Sequence, residues 1–317
     1  MNIAKRERLG AIALFAAAGM ALVLANSPLS STYFAIAEIE PLKGVAIFLF
    51  FLSIGIELRH EVTDGILSKP RKAIVPVLAA IGGMILPALI FSTFNQGLTT
   101  ARAWGVPISF DIAFALGALA IAGSWLPRQV RTFVMTVAVV DDALAIVVLA
   151  LFFTTEFHLL SIVSLLAVAT GLLVPGFGKS QKILGPVVSF AALPLFALLS
   201  AGVNFAHLEG GFNIVLFVSV MVAIVVGKPL GILGTTWLVT KSKLGMLDSK
   251  IQWKHLLNVV TAFAMCFTVS MLMSDLSLSS EPNNHATANL AVLVTTTSML
   301  LITLIALRLG EKRNREH

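Results

Sequence analysis

Residues 132–154 read TFVMTVAVVDDALAIVVLALFFT, an apolar run with two adjacent aspartates near its centre. A helix that crosses a membrane needs about 20 predominantly apolar residues, so this run is long enough to span a bilayer. Comparable runs recur along the chain, which is 57% hydrophobic and 12% charged, with a mean hydropathy of +0.95. Because soluble domains carry about a quarter charged residues, this composition predicts a protein built for lipid.

Ten apolar runs predict ten membrane-spanning helices, all in one domain over residues 1–317. The approximate spans are 9–25, 42–57, 73–94, 104–126, 132–154, 159–176, 185–206, 212–240, 255–274 and 288–307. No strand-period alternation is found, and the loops are too short for a soluble catalytic domain. We therefore expect an all-α polytopic membrane protein that is not an enzyme.

The basic residues lie on one side of this arrangement. With the N-terminus inside, 19 of the 22 Lys and Arg residues fall in inside segments, and Arg102 alone lies in an outside loop. The other two, Lys43 and Lys228, fall within apolar spans. Because loops rich in Lys and Arg stay cytoplasmic, both termini are expected in the cytoplasm. This clustering accounts for the net charge of +6 without nucleic acid.

Four charged residues fall deep inside predicted spans: Asp111 in the fourth, Asp141 and Asp142 in the fifth, and Lys228 in the eighth. Each charge in hydrocarbon costs at least about 2.5 kcal/mol, and such residues usually pair and mark ion routes. At 1.5 Å per residue, Asp141 lies about 14 Å and Lys228 about 15–18 Å from the inner surface. The two opposite charges can therefore meet near the middle of the membrane.

The residues around two of these charges predict discontinuous helices. Gly105 and Pro107 precede Asp111, and Lys228 lies within residues 227–231, which read GKPLG. Glycine and proline both weaken a regular helix. Interrupted helices beside buried charges are typical of transporter sites.

Adjacent carboxylates suggest competition between a cation and protons. Asp141 and Asp142 repel each other when both are ionised, and burial favours their protonated forms. Sodium is a hard ion that prefers oxygen ligands, so the pair can hold either the cation or protons. Loss of a proton from Lys228 on sodium entry would allow more than one proton per sodium. The alternative is a structural ion pair, which stays open for Lys228 but gains nothing from a second aspartate.

The chain resembles the NhaA family of bacterial sodium/proton antiporters over most of its length. Five stretches carry the resemblance in family order: FFLSIGIELRHE at 50–61, PVLAAIGGMILPAL at 76–89, DIAFALG at 111–117, the Asp pair at 141–142, and GKPLG at 227–231. The resemblance implies inverted repeats, at about 73–154 and 212–307, a property inherited from the family.

The resemblance also implies roles for individual residues. Asp142 and Asp141 would bind the ion and the protons, Lys228 would pair with Asp141, and Asp111 would balance positive helix ends where two broken helices cross. A further implied role is pH sensing by residues at the cytoplasmic end of the second helix, although an ordinary charged helix end accounts for them equally well. These residues are Glu57, Arg59 and Glu61.

The sequence departs from the family in several places. About two middle helices are missing between about 165 and 185, and the hairpin used in dimers is absent, which leaves a homodimer in question. Phe110 replaces a threonine, and residues 263–266 replace glycines in the ninth span, which predicts a more regular helix there. Unusual residues also stand elsewhere, at Lys43, Gln181 and Lys182.

Three functions are compatible with buried acidic residues in a membrane bundle. The first is an antiporter of the bacterial inner membrane that exports Na+ or Li+ in exchange for H+, controls cytoplasmic pH and sodium, and needs no cofactor beyond the transported ions. The second is a degenerate or accessory protein of the same fold without coupled exchange. An intramembrane aspartyl protease is disfavoured because its Tyr-Asp and Gly-x-Gly-Asp motifs are absent.

Overall fold

A computed structural model describes residues 3–152, 159–174, 177–205, 208 and 211–315, and in these ranges the regular elements are all helices. The α-helices are α1 (Ile3–Ala25), α2 (Ser30–Ala37), α3 (Glu40–Thr63), α4 (Pro70–Phe94), α5 (Ile112–Ala122), α6 (Arg128–Phe152), α7 (Leu159–Leu173), α8 (Phe177–Val187), α9 (Leu193–Ser200), α10 (Ile214–Val222), α11 (Lys228–Lys241), α12 (Trp253–Val259), α13 (Thr268–Leu278) and α14 (Pro282–Arg315). Shorter 3-10 helices occupy Ile66–Ser68, Thr99–Gly105 and Val260–Ala264, and π turns occupy Val188–Ala192 and Ala223–Gly227.

The predicted all-α polytopic fold is confirmed. Within the described ranges, eight helical segments are long and apolar enough to cross a membrane, and two more are apolar but shorter. One of these ten falls in each predicted span: Arg6–Ala25, Pro41–Thr63, Pro70–Phe94, Ile112–Ala122, Arg128–Phe152, Ile162–Leu173, Lys182–Ser200, Ile214–Lys241, Trp253–Leu278 and Pro282–Asn314.

The fourth span is discontinuous, as Gly105 and Pro107 predicted. A 3-10 helix ends at Gly105, the chain runs without regular structure to Asp111, and α5 begins at Ile112. Asp111 itself has an extended backbone (φ −97°, ψ 115°). Its side chain therefore sits at the N-terminus of α5, where four backbone N–H groups lack partners within the helix.

The expectation of a more regular ninth span was wrong. Its helix gives way to a 3-10 turn that ends at Ala264, and residues 265–267 form no helix before α13 begins. The break needs no glycine because both Met265 (φ −93°) and Phe267 (φ −146°) have negative φ values, which other residues can adopt. Hydrogen bonds from neighbouring helices hold this segment open, as described below.

The eighth span is not broken at Lys228, contrary to the expectation from residues 227–231. It runs from α10 through one π turn into α11, and the π turn directly precedes Lys228 and Pro229. Proline lacks an N–H and crowds the preceding turn, which a local π turn can absorb. Gly231 instead permits close packing, since a Cβ there would lie 2.2 Å from the carbonyl oxygen of Gly82 in α4.

The interrupted spans are enclosed by long helices. The span that carries Lys228 packs along α4, which also contacts α6, and α1 lies against α5 and α9. On another side α3 packs closely on α7, where a Cβ on Gly55 would lie 2.4 Å from the carbonyl oxygen of Val168. Small residues allow such close helix contacts in membranes. The predicted charges are thereby brought together in the interior of the bundle.

Candidate functional site

Asp141 and Lys228 form an ion pair that is completely buried. Lys228 Nζ lies 3.1 Å from Asp141 Oδ1 and 3.2 Å from Oδ2, and both side chains are 0% exposed. The ammonium also donates to the backbone carbonyl of Ile108, which the interruption of the fourth span leaves free. Because an unpaired charge is very costly in a low-dielectric interior, each member of this pair depends on the other.

Phe110 supports this pair through its backbone and its ring. Its N–H donates to Asp141 Oδ2 at 2.9 Å, and its ring centroid lies 5.3 Å from Lys228 Nζ, within the range of a cation–π interaction. The ring also packs edge-on against Phe263, with centroids 5.3 Å apart. The side chain supplies no oxygen ligand, but the backbone N–H still binds the carboxylate.

Asp142 is buried beside the pair and is only 2% exposed. Among the described residues no hydrogen bond or ion pair to its carboxylate is found. Asp141, Asp111 and Glu57 repel its charge, and Lys228, which attracts it, is already bound to Asp141. The pair at 141–142 thus contains one compensated carboxylate and one that has no compensating partner of its own.

Asp111 joins the N-termini of two helices. Its Oδ1 accepts from the N–H of Ala113 at 3.0 Å in α5, and its Oδ2 accepts from the N–H (3.2 Å) and the hydroxyl (2.5 Å) of Thr268, the first residue of α13. The N-terminus of a helix carries partial positive charge, which a carboxylate stabilises. One buried aspartate therefore caps two helices at once.

The two interrupted spans cross at this aspartate. The N–H of Asp111 donates to the carbonyl of Met265 at 2.7 Å, and the hydroxyl of Thr296 in α14 donates to the carbonyl of Cys266. These bonds satisfy carbonyls that the break in the ninth span exposes. They are the physical reason that this span stays interrupted without glycine.

The three residues implied in pH sensing have separate surroundings. Glu61 is buried and accepts from the N–H of Ile66 at 3.1 Å, whereas Arg59 donates to the carbonyl of Leu172 at 2.9 Å. Glu57 is half-buried and acts electrostatically on both Asp142 and Glu7 of α1. Glu57 is thus linked electrostatically to Asp142.

Two groups of charged residues were missed in the sequence. Glu7 lies near Arg131 and Glu57, and Asp275 binds both Lys43 at 2.7 Å and His285 at 2.8 Å. Asp275 falls one residue beyond the predicted ninth span, so it was not recognised as a charge within the membrane. Lys43 could have indicated this cluster, because a basic residue inside a membrane span usually pairs with an acidic one.

Among the residues the structure covers, no group of three or more His, Cys, Asp or Glu side chains could hold a metal ion. A cation bound by the two aspartates would need further oxygen ligands from backbone carbonyls, hydroxyls or water.

Of the unusual residues at positions 181 and 182, Lys182 is exposed, and the side chain of Gln181 lies outside the described residues.

A helical membrane bundle with two interrupted spans that cross beside buried acidic and basic residues has the architecture of a secondary transporter. Comparison with known sequences identifies the family of transporters to which the chain belongs. The profile of the family described as Na+/H+ antiporter 1 matches residues 1–183 and 175–307. The chain belongs to this family.

Curated relatives agree with this assignment. The Na(+)/H(+) antiporter NhaA of Arthrobacter sp. (strain FB24) is 31% identical over 399 aligned residues, which cover 100% of this chain and 86% of the relative. The NhaA proteins of Frankia casuarinae (32% identical; 99% and 87% covered) and Vibrio alginolyticus (30% identical; 94% and 94% covered) are similar. The Arthrobacter alignment is longer than the 317 residues of this chain, so that relative carries segments that this chain lacks.

Proposed function

We propose that this protein is an antiporter that exchanges Na+ or Li+ for H+ across a bacterial inner membrane. The observation that carries the proposal is the unequal pair of buried carboxylates, in which Asp141 is bound by Lys228 and Asp142 has no hydrogen-bond or ion-pair partner among the described residues. A carboxylate in this position gains stability only from a proton or a cation, because its neighbours repel its charge. Family membership supports the same function.

The exchange follows from competition at this pair. In the proton-loaded state Asp142 is protonated, and Lys228 neutralises Asp141. Entry of sodium removes the Asp142 proton and draws Asp141 toward the cation, so that Lys228 loses its counter-ion. A buried ammonium without a counter-ion tends to release its proton, which would give two protons for each sodium and make transport electrogenic.

Asp111 would serve as a fixed charge in this cycle. It balances the partial positive charges of two helix ends, so it has little tendency to bind sodium itself. Its interaction with Asp142 is repulsive. Movement of the crossing would therefore change the field at Asp142 without changing the ligands of the ion.

The distribution of Lys and Arg supports an orientation with both termini in the cytoplasm. In that orientation sodium is exported, and residues 57–61 lie at the cytoplasmic end of α3. Glu57 would there respond to cytoplasmic pH and act on the charge of Asp142.

Between α1 and α3 the chain has α2, of eight residues, in place of the family's dimer hairpin. A homodimer would have to form through other surfaces.

The test is exchange in everted membrane vesicles from a bacterial strain without its own sodium antiporters. Respiration acidifies the lumen and quenches a pH-sensitive dye, and added Na+ or Li+ should restore fluorescence whereas K+ should not. Asp142→Asn should abolish the response. Asp64→Asn makes the same chemical change at an exposed position and should leave it intact. Absence of a sodium or lithium response in the folded wild-type protein would support the accessory alternative.

A further inference from the structure

A second charged cluster lies away from the buried aspartates, at the end of the bundle near α2. We call it the outer triad: Lys43 of α3, Asp275 of α13 and His285 of α14. Lys43 Nζ lies 2.7 Å from Asp275 Oδ2, and His285 Nε2 lies 2.8 Å from Asp275 Oδ1. The exposed fraction rises from 12% at Asp275 and 16% at Lys43 to 30% at His285. The histidine is therefore the member most open to the surroundings.

The ring of His285 faces two partners with opposite requirements. Its Nε2 is close to Asp275 Oδ1, an acceptor, and lies 3.3 Å from the side-chain amide of Asn289. A ring nitrogen that carries a proton donates to the carboxylate, and one without a proton accepts from the amide. The presence or absence of a proton on Nε2 thus decides whether the ring binds Asp275 or Asn289.

Further polar groups continue inward from the triad. Asn289, one helical turn from His285, is 1% exposed, and its Oδ1 has no hydrogen-bond partner in the described part of the chain. The hydroxyl of Ser274, beside Asp275, is likewise buried and without a partner there. Buried polar atoms are rarely left unpaired, and such atoms are candidates for binding water.

Helix α14 leads from the triad toward the ion site. Thr296 lies seven residues beyond Asn289, about 10 Å along the helix axis. It donates to the carbonyl of Cys266, and the adjacent carbonyl of Met265 accepts from the N–H of Asp111. The triad and the crossing of the interrupted spans are therefore connected by one helix, with the buried apolar residues Val292 and Leu293 between Asn289 and Thr296.

A structural clamp between helices is the simpler interpretation of the triad. One acid and one base, such as Asp275 and Lys43, would suffice for a clamp. The histidine adds a second group bound to the same carboxylate, placed at the more exposed side and 3.3 Å from the buried side-chain amide of Asn289. A clamp alone does not explain this arrangement.

We propose that His285 and Asp275 form an outer proton-binding site, which takes up protons from the outer medium beside the buried amide of Asn289 in α14. Lys43 keeps Asp275 ionised when the histidine is neutral. The use of these protons in exchange rests on the proposed function and orientation. The binding of a proton at His285 does not.

The other ionisable groups around the triad do not replace it. Burial raises the pKa of Tyr33 to about 12, so this residue stays protonated in any physiological medium. Its hydroxyl donates to the carbonyl of Leu198 at 2.7 Å. Glu281, at the start of α14, binds Arg102 at 2.6 Å on the surface.

The first test measures sodium efflux from right-side-out vesicles loaded with radioactive sodium, at fixed internal pH and varied external pH. His285→Gln keeps hydrogen-bonding groups but cannot hold a transferable proton. We expect efflux at alkaline external pH to fall about tenfold or more, as for loss of a proton-transfer group. Efflux should recover at acidic external pH, where protons are abundant. Glu281→Gln breaks the surface pair with Arg102 and should leave the profile unchanged.

The second test does not require exchange. Diethyl pyrocarbonate, which reacts with neutral imidazole, is added outside the vesicles, and modification of His285 is followed by mass spectrometry against external pH. Asp275→Asn removes the carboxylate that favours the charged ring, so the reaction should begin at lower pH. If His285 reacts as expected but the wild-type protein exchanges no sodium, the proton site is retained and the proposed function is rejected.

Three results would overturn the outer proton site. The first is an unchanged external-pH profile for His285→Gln with normal efflux. The second is a loss of efflux in that variant that persists at acidic external pH although the protein is folded. The third is a His285 that the external reagent does not reach, or whose reaction does not respond to Asp275→Asn.

Discussion

The hydroxyl of Thr268 donates to Asp111 Oδ2 at 2.5 Å, and through this bond one buried carboxylate holds the N-termini of α5 and α13 together. The two helices come from the two halves of the chain that were predicted to be repeats. The crossing therefore depends on a side-chain pair as well as on helix packing.

Thr268→Val should destabilise the protein by about 1.5–3 kcal/mol, because it removes a hydrogen bond to a charged, buried group without changing the shape of the side chain. Unfolding can be followed in detergent with a thiol-reactive dye, since Cys266 is the one cysteine in the sequence and is fully buried. Thr170→Val is the matched control, because the Thr170 hydroxyl bonds only within its own helix at an exposed position. Equal melting temperatures for the two variants would contradict the capping role.

Gly231→Ala and Gly234→Ala should differ in their effects on stability, although both lie in α11. A Cβ at position 231 meets the carbonyl of Gly82 at 2.2 Å, whereas one at position 234 meets nothing within 4 Å. The first change should cost about 1–3 kcal/mol by overpacking and should reduce exchange, because α11 carries Lys228. The second should be neutral or stabilise by up to about 1 kcal/mol. Thermal unfolding and the vesicle assay measure both. A Gly231→Ala protein with normal stability would show that the contact with α4 is not tight.

Phe110→Thr should lower the stability of the protein but raise its affinity for sodium. Loss of the buried ring that packs on Phe263 leaves a cavity and should cost about 2–4 kcal/mol. The added hydroxyl beside Asp141 and Lys228 should lower the sodium concentration for half-maximal dequenching. Phe110→Val, which has nearly the shape of threonine but no oxygen, should lose stability without this gain. An equal sodium response in the two variants would exclude a ligand role for the hydroxyl.

Lys228→Met should be strongly destabilising, and a second substitution should repair much of the damage. The single change leaves Asp141 without its counter-ion at 0% exposure, for which a loss of about 3–5 kcal/mol is expected. Combination with Asp141→Asn removes the uncompensated charge and should recover most of that stability, although neither protein should exchange sodium. The four proteins of this cycle, compared by unfolding in detergent, give the coupling energy of the pair. Additive effects would show that the two charges do not interact.

Hydropathy along the chain was sufficient to predict where the apolar helices of the described residues lie, because the cost of placing a segment in lipid is a sum over its own residues. The same property indicated Asp111, Asp141, Asp142 and Lys228 as unusual charges, and proline and glycine correctly predicted the break before Asp111. Each of these features depends on local composition, which needs no knowledge of the neighbouring helices.

Only the tertiary structure decided where the remaining breaks and partners lie. The ninth span looked regular because residues 263–266 contain no glycine, yet hydrogen bonds from Asp111 and Thr296 hold its carbonyls out of the helix. The eighth span looked broken, but its Gly231 instead allows close contact with Gly82. Asp275 gained importance only through Lys43 and His285, which are 232 and 10 residues away in the chain. Such interactions join distant segments, and their energies do not appear in any local window of the sequence.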